Sequence, residues 1–175
     1  AKTADKREGK YGETYGITLN STISSLFAAL KGNMASANLA DAETKLDAEI
    51  DGDIYDAHVL HRDLVDNVMY QTYLLSVIKE MDDVIAEVDN FHVKVVEGRV
   101  FWEGVRAMAH HLDADTATAI DNGLYPGGFP ARDAADYFLT GMEDVADGTA
   151  IVDGETIKAD VEKLLNATIA SDDAE

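Results

Sequence analysis

Residues 60–88 read LHRDLVDNVMYQTYLLSVIKEMDDVIAEV. This stretch contains neither proline nor glycine, and its apolar residues recur at an approximate heptad spacing, which is the spacing of one helix face. The residues of that face are Leu60, Leu64, Val65, Val68, Leu75, Ile78, Ile85 and Val88. Because a face of this kind packs against antiparallel neighbours, the stretch predicts a long helix inside a helical bundle.

The helical pattern continues on both sides of this stretch. Residues 54–112 hold no proline and only two glycines, and a break is predicted at Asp89-Asn90. Other helices are predicted over residues 22–31, over about sixteen residues after Asn33, and over residues 116–122, 131–146 and 155–170. Asp113 is predicted to end one helix and Asp115 to cap the next, and Asp153 is predicted to cap the last. The apolar face of that last helix consists of Ile157, Val161, Leu164, Leu165 and Ile169. The segment GLYPGGFP at residues 123–130 is the one strong loop signal. The sequence therefore predicts an all-α protein, an antiparallel helical bundle of about six helices, four of them substantial.

The start of the chain differs from the rest in composition. Residues 1–16 are polar and include Gly9, Gly12 and Gly16, which predicts a flexible N-terminal arm. Residues 1–10 carry four basic and two acidic side chains, a charge of +2. We therefore expect two parts, a mobile arm at residues 1–16 and a single helical-bundle domain at residues 17–175.

The overall charge excludes several classes of protein. The 175 residues include 34 acidic and 14 basic side chains, a formal charge of −20, and no cysteine. A surface this acidic repels nucleic-acid phosphate, and without cysteine there are no thiolate metal sites or disulfides. No stretch reaches the roughly 18 continuous apolar residues of a membrane-spanning helix. Cations, basic partners and neutral ligands remain as the classes of molecule that this protein could bind.

The acid excess also bears on the environment of the protein. It consists of 22 Asp and 12 Glu, set against only nine Lys. A surface rich in short carboxylates suits high salt, where screening weakens its self-repulsion. The chain begins at Ala1 and contains acceptor triplets for glycosylation at Asn20 and Asn166. We therefore expect an extracytoplasmic protein from a high-salt organism, with an ordinary acidic secreted protein as the alternative.

Five histidines are the main indication of specific chemistry. His58 and His61 are three residues apart, so on a helix they share a face with the apolar residues around Val65. Two imidazoles at this spacing can ligate one transition-metal ion, or one of them can supply an axial ligand to a non-covalent haem. The alternative is a pair of buried histidines, each bonded to a carboxylate or a carbonyl.

A second polar array lies on the next predicted helix. His92, Arg99, Glu103, Arg106 and His110 share one stripe. One interpretation is a surface ion-pair ladder, in which Glu103 pairs with Arg99 and Arg106. The other is that Glu103 and His110 meet His58 and His61 across an antiparallel helix pair and form a metal site.

The segment from Asp47 to His58 resembles a degenerate calcium-binding loop. Asp47, Glu49 and Asp51 supply oxygen donors at positions 1, 3 and 5, and Gly52 occupies position 6. Position 12, where a bidentate Glu is expected, is His58, so only a weak calcium site is predicted.

The sequence favours a binding protein over an enzyme. It has no nucleophile elbow, phosphate-binding loop, dinucleotide fingerprint or His-Glu-x-x-His helix. The function it predicts is the non-enzymatic binding of a metal ion or metal cofactor between helices. The alternative is a structural or assembly subunit of a cell-surface complex or filament, whose basic N-terminal arm contacts a neighbouring subunit as a homo-oligomer or with another protein.

Overall fold

The computed structural model describes residues 2–19, 22–29, 31, 52–87, 90–130, 137–148 and 150–172, with the side chains of all of these except 52–65 and 169–172. This part of the chain is mostly helical and contains no strand. The all-α class is therefore confirmed. The helices are more numerous than the six predicted, because residues 2–15 are helical and residues 91–112 are divided.

The N-terminal segment is a helix, which the sequence did not predict, and whether residues 1–16 move as an arm stays a prediction. Helix α1 spans Lys2–Tyr15, and Ala4 and Tyr11 on it are buried. Gly12 lies inside this helix. Because glycine has no side chain, the backbone that follows the helix can pass close to it. A Cβ at Gly12 would lie 2.8 Å from the carbonyl oxygen of Ile17.

Helix α1 ends at a glycine, one residue beyond its last helical position. Gly16 has a φ of 68°, a left-handed conformation that glycine adopts without strain. The amide of Ile17 then donates to the carbonyl of Gly12 at 2.9 Å, which closes a Schellman motif. The Glu8 carboxylate accepts a hydrogen bond from the amide of Leu19 at 2.9 Å and so ties the next segment back to the helix.

Two further helices follow. Helix α2 covers residues 22–29, and helix α3 covers Gly52–Ile85. The helix predicted after Asn33 lies outside the described residues. The chain forms two compact units, Ala1–Thr72 and Tyr73–Glu175, and their boundary falls within α3. Whether residues 17–175 are one domain stays a prediction.

The second unit contains the remaining helices, which are α4 (Phe91–Glu103), α5 (Arg106–Leu112), α6 (Ala114–Leu124), a 3-10 turn (Tyr137–Leu139), α7 (Met142–Ala146) and α8 (Gly154–Asp172). Helices α4 and α5 were predicted as one. They are separated at Gly104, where a Cβ would lie 2.9 Å from the Cε1 atom of the Tyr73 ring. The break therefore lies next to the Tyr73 ring. Local periodicity cannot reveal this contact, because Tyr73 is distant along the chain.

Helix α6 begins at Asp113 as its N-cap, two residues before the predicted cap, Asp115. The Asp113 carboxylate accepts from the amide and the hydroxyl of Thr116, at 3.1 and 2.6 Å. Asp153 makes the same two bonds to Thr156 at the start of α8. Each cap satisfies a backbone donor that the first turn of a helix leaves without an intrahelical acceptor.

Helices α6 and α8 pack closely against each other, and a glycine makes the approach possible. A Cβ at Gly123 in α6 would lie 2.7 Å from Cγ1 of Ile157 in α8. The buried face of α8 is the predicted one, with Ile157, Val161, Leu164 and Leu165 at most 1% exposed. None of the helices in the described part of the chain has both the length and the hydropathy of a membrane-spanning segment.

Candidate functional site

A buried carboxylate, Asp121, is the centre of a polar cluster in the second unit. Asp121 lies on α6 and is 6% exposed. Its Oδ1 atom accepts from Trp102 Nε1 at 2.7 Å and from Arg106 Nε at 2.8 Å. Its Oδ2 atom accepts from Arg106 Nη2 at 2.8 Å and lies 2.8 Å from His110 Nε2. One side chain thereby joins α4, α5 and α6.

The contacts of Asp121 determine its charge state. Burial by itself would raise the pKa of Asp121, but the hydrogen bonds from Arg106, Trp102 and His110 outweigh burial and hold the pKa below its ordinary value. The hydrogen bond to Asp121 also raises the pKa of the Arg106 guanidinium. Asp121 is therefore ionised at neutral pH and can act only as an acceptor.

An ionised Asp121 also fixes the proton of His110. Because the carboxylate has no proton to donate, the bond at 2.8 Å requires that His110 Nε2 carry the hydrogen. In the neutral imidazole the lone pair is then on Nδ1. The His110 side chain is 31% exposed, so this oriented imidazole is accessible from solvent.

The loop after α6 supplies aromatic rings to two arginines. The Arg106 guanidinium carbon lies 3.9 Å from the centroid of the Phe129 ring, and that of Arg99 lies 4.2 Å from the centroid of the Tyr125 ring. Both rings belong to the segment that the sequence marks as a loop. These cation–π contacts favour the charged form of both guanidinium groups.

Arg99 is fully buried, so the predicted surface ladder through Arg99, Glu103 and Arg106 was wrong. Arg99 is 0% exposed. It donates from Nε to the carbonyl of Leu124 at 2.8 Å, and from Nη1 to the carbonyls of Phe138 at 2.9 Å and Thr140 at 2.8 Å. The physical reason is that the chain after α6 folds over α4 and presents backbone acceptors that need a donor.

Burial lowers the pKa of Arg99, although not enough to discharge a guanidinium at neutral pH. Within the described part of the chain, Arg99 Nη2 and the Tyr125 hydroxyl are buried without a hydrogen-bond partner. The charge of Arg99 is therefore stabilised by its three carbonyl bonds and by the Tyr125 ring.

Of the four residues predicted to ligate a metal, the structure describes the side chains of two, Glu103 and His110. Glu103 accepts a hydrogen bond from Tyr137 Oη at 2.9 Å, and His110 bonds to Asp121, so these bonds engage the two residues with different partners. His58 and His61 lie on α3, and their side chains are outside the described residues. Among the side chains that the structure describes, no group of three His, Asp or Glu residues is arranged to hold a metal ion. The four-residue site stays a prediction.

The predicted calcium loop also remains untested. Its residues 47–51 lie outside the described part of the chain, and Gly52–His58 belong to the first turns of α3. Of the other histidines, His92 contacts the Phe91 ring at 6.1 Å, and His111 is exposed.

Sequence reasoning missed the carboxylate that organises this cluster. Asp121 is one of 22 aspartates, and nothing in its local pattern separates it from a solvated one. Arg106 and His110 are four residues apart on α5, a spacing that did place them on one face. The acceptor that they share comes from another helix, so only the tertiary fold reveals it.

No family model matches the sequence, and neither a curated protein nor a solved structure is significantly similar to this chain.

Proposed function

We propose that this protein binds a transition-metal ion or a metal cofactor such as non-covalent haem, without catalysing a reaction, and that His110 is one of the ligands. The observation that carries the proposal is the 2.8 Å contact between His110 Nε2 and the Asp121 carboxylate. Metal-ligating histidines commonly donate their second ring N–H to a carboxylate, which orients the ring and raises the basicity of the ligating nitrogen. The further ligands, predicted from the sequence, are His58, His61 and Glu103.

The chemistry of the donors narrows the class of metal. Imidazole nitrogen suits zinc, copper, nickel and iron, whereas magnesium and calcium prefer oxygen donors. The charge of −20 raises the local concentration of any cation near the surface. A calcium ion at the loop between Asp47 and His58 is the weaker alternative, because the histidine at position 12 lacks the usual bidentate carboxylate.

The proposal is tested first on protein purified without added metal, by elemental analysis and a visible absorption spectrum. The apo protein is then titrated with Ni²⁺, Co²⁺ and Ca²⁺ by calorimetry, and with haem by absorption. We expect Ni²⁺ or Co²⁺ to bind, with His110→Ala weakening the affinity by roughly tenfold or more. His111→Ala is the matched control, since it removes the adjacent exposed imidazole. A titration in which His110→Ala and His111→Ala behave alike would exclude His110 as a ligand.

A second pair of variants tests the remaining ligands. His58→Ala and His61→Ala should each weaken the same binding event, because the sequence places both imidazoles on one helix face. If neither the purified protein nor these titrations reveal a bound metal or haem, the metal-binding function is wrong.

The alternative function, a structural or assembly subunit, is favoured by one observation. Lys2, Lys6 and Lys10 are all exposed on α1 and recur every four residues, so they form a basic stripe in a chain of charge −20. This stripe has the charge to contact the acidic surface of a second copy or of another protein.

Light scattering at several salt concentrations separates this alternative from metal binding. We expect Lys6→Glu to reduce association if the stripe is an interface, whereas Lys31→Glu, on another segment, leaves it unchanged. If the protein is a monomer at every salt concentration, the proposed assembly function is wrong.

We infer an extracytoplasmic, high-salt setting from composition alone. The support is the excess of 22 Asp and 12 Glu over nine Lys. Circular dichroism during removal of KCl provides the test, because self-repulsion grows as screening is lost. Full stability in low salt would contradict salt adaptation.

A further inference from the structure

An apolar cleft lies in the second unit, and the residues described as lining it do not include any of the Asp121 cluster. It has a volume of about 440 Å³ and is formed by the end of α3, the start of α4, the end of α7 and the loop that follows α7. Its apolar lining includes Val84, Phe91, Val145 and Val152. The volume falls within the range of about 300–1,000 Å³ that small-molecule sites occupy.

A single charged side chain contributes to this cleft. Of the lining residues that the structure describes, only Glu87 has a charged side chain. Glu87 follows the last turn of α3 with a φ of 48°, a left-handed conformation that is unfavourable for a residue with a Cβ. Its amide donates to the carbonyl of Val84 at 3.1 Å, which holds this residue against the end of the helix. The carboxylate is exposed and belongs to the rim.

The lining also includes an exposed apolar side chain, Ile151. Ile151 is 81% exposed, the largest value among the large hydrophobic residues that the structure describes. The segment that carries it is anchored by a hydrogen bond from the amide of Ala150 to the carbonyl of Asp144 at 2.8 Å. A ligand in the cleft would cover part of Ile151 and remove apolar surface from water.

We propose that this cleft binds a small organic cation, an ammonium group that carries a compact apolar substituent. The apolar walls accommodate the substituent, and Glu87 supplies the opposite charge at the rim. The Phe91 ring adds a face to which a cation is attracted. An anion would meet Glu87 and the field of a chain with a charge of −20, so the electrostatics favour a cation over an anion of the same shape.

Three probes of closely similar size test this specificity by calorimetry, namely benzylammonium, benzyl alcohol and benzoate. The whole chain is used at the lowest KCl concentration at which circular dichroism shows it folded, since salt screens the exposed carboxylate. We expect the ammonium probe to bind best and benzoate to bind least. The metal proposal does not predict this order, so the two can fail separately.

Two variants locate the binding in the cleft. Glu87→Gln keeps the shape of the side chain and should weaken the ammonium probe about three- to tenfold, while affinity for benzyl alcohol is unchanged. Ile151→Ser should weaken both probes, and its exposed position leaves the fold intact. Glu143→Gln is the matched control, because it removes an exposed carboxylate of α7 that does not line the cleft.

The proposal is overturned by any of three results. These are no binding of the ammonium probe, equal affinity for benzyl alcohol, or the same response to Glu87→Gln and Glu143→Gln.

Discussion

Replacing Asp121 by Asn changes the interior of the second unit with almost no change of shape. The aspartate accepts from Trp102, Arg106 and His110 with both oxygens. An asparagine keeps one acceptor oxygen and turns the other into an NH₂ donor. That donor then faces either the Arg106 guanidinium or the protonated Nε2 of His110, so a donor opposes a donor inside a site that is only 6% exposed.

The expected loss of stability follows from the charge that stays in the site after its partner is removed. Removing one member of a fully buried ion pair costs about 3–5 kcal/mol, because the other charge loses its partner without regaining water. The Arg106 and His110 side chains are each 31% exposed, so they can recover part of their hydration. We therefore expect a loss near the lower end, about 3 kcal/mol of unfolding free energy. With a urea m-value of about 2 kcal/mol per molar, the unfolding midpoint falls by roughly 1.5 M.

The assay has a reporter inside the cluster. The chain has one tryptophan, Trp102, which is 0% exposed and donates directly to Asp121. Its fluorescence in urea therefore follows the unit that contains the substitution. Asp115→Asn, on the exposed side of the same helix, is the matched control and should change the free energy by about 0.5 kcal/mol or less. If Asp121→Asn shifts the midpoint no more than the control does, the assigned role of the carboxylate is refuted.

Three further predictions concern pH, packing and capping. Because the pKa of Asp121 is lowered in the folded state, its stabilisation is complete above about pH 5 and is lost as the pH falls below the unfolded-state value of about 3.9. Urea midpoints across pH 2–6 should therefore converge for wild type and Asp121→Asn at the acid end; parallel curves would contradict the shift. Gly123→Ala should cost about 1–3 kcal/mol through overlap with Ile157, whereas Gly127→Ala, with open space around it, should not, as thermal unfolding would show. Asp113→Ala should cost about 1 kcal/mol by removing the cap of α6, and an unchanged unfolding midpoint would exclude the cap as a source of stability.

Local features of the fold could be predicted where a few neighbouring residues decide them. The apolar face of α8 and its capping side chain Asp153 were predicted from spacing and residue type, and the structure shows them in those roles. Local pattern failed where distant residues matter. Gly12 was interpreted as a sign of flexibility, yet it lies in a helix and faces the Ile17 carbonyl; Gly104 was expected inside a helix, yet it lies at a break beside the Tyr73 ring.

The candidate site shows the same division. Periodicity placed Arg106 and His110 on one face, but it assigned their neighbour Arg99 to a solvated ladder, because a helix stripe does not reveal what packs on it. Arg99 is buried since the chain after α6 brings three backbone carbonyls to its guanidinium. These acceptors carry no sequence signature, as every residue has a carbonyl.

The sequence by itself determined the helical class, the acidic charge and the cap of α8, since each depends on composition or on residues within a turn of one another. Only the tertiary structure decided which of the 22 aspartates is buried, where the helices stop, and which histidine is held by a carboxylate. The physical reason is that desolvation and pairing depend on neighbours from other helices. Asp121 differs from a surface aspartate only through Trp102, Arg106 and His110, which lie 11–19 residues away along the chain.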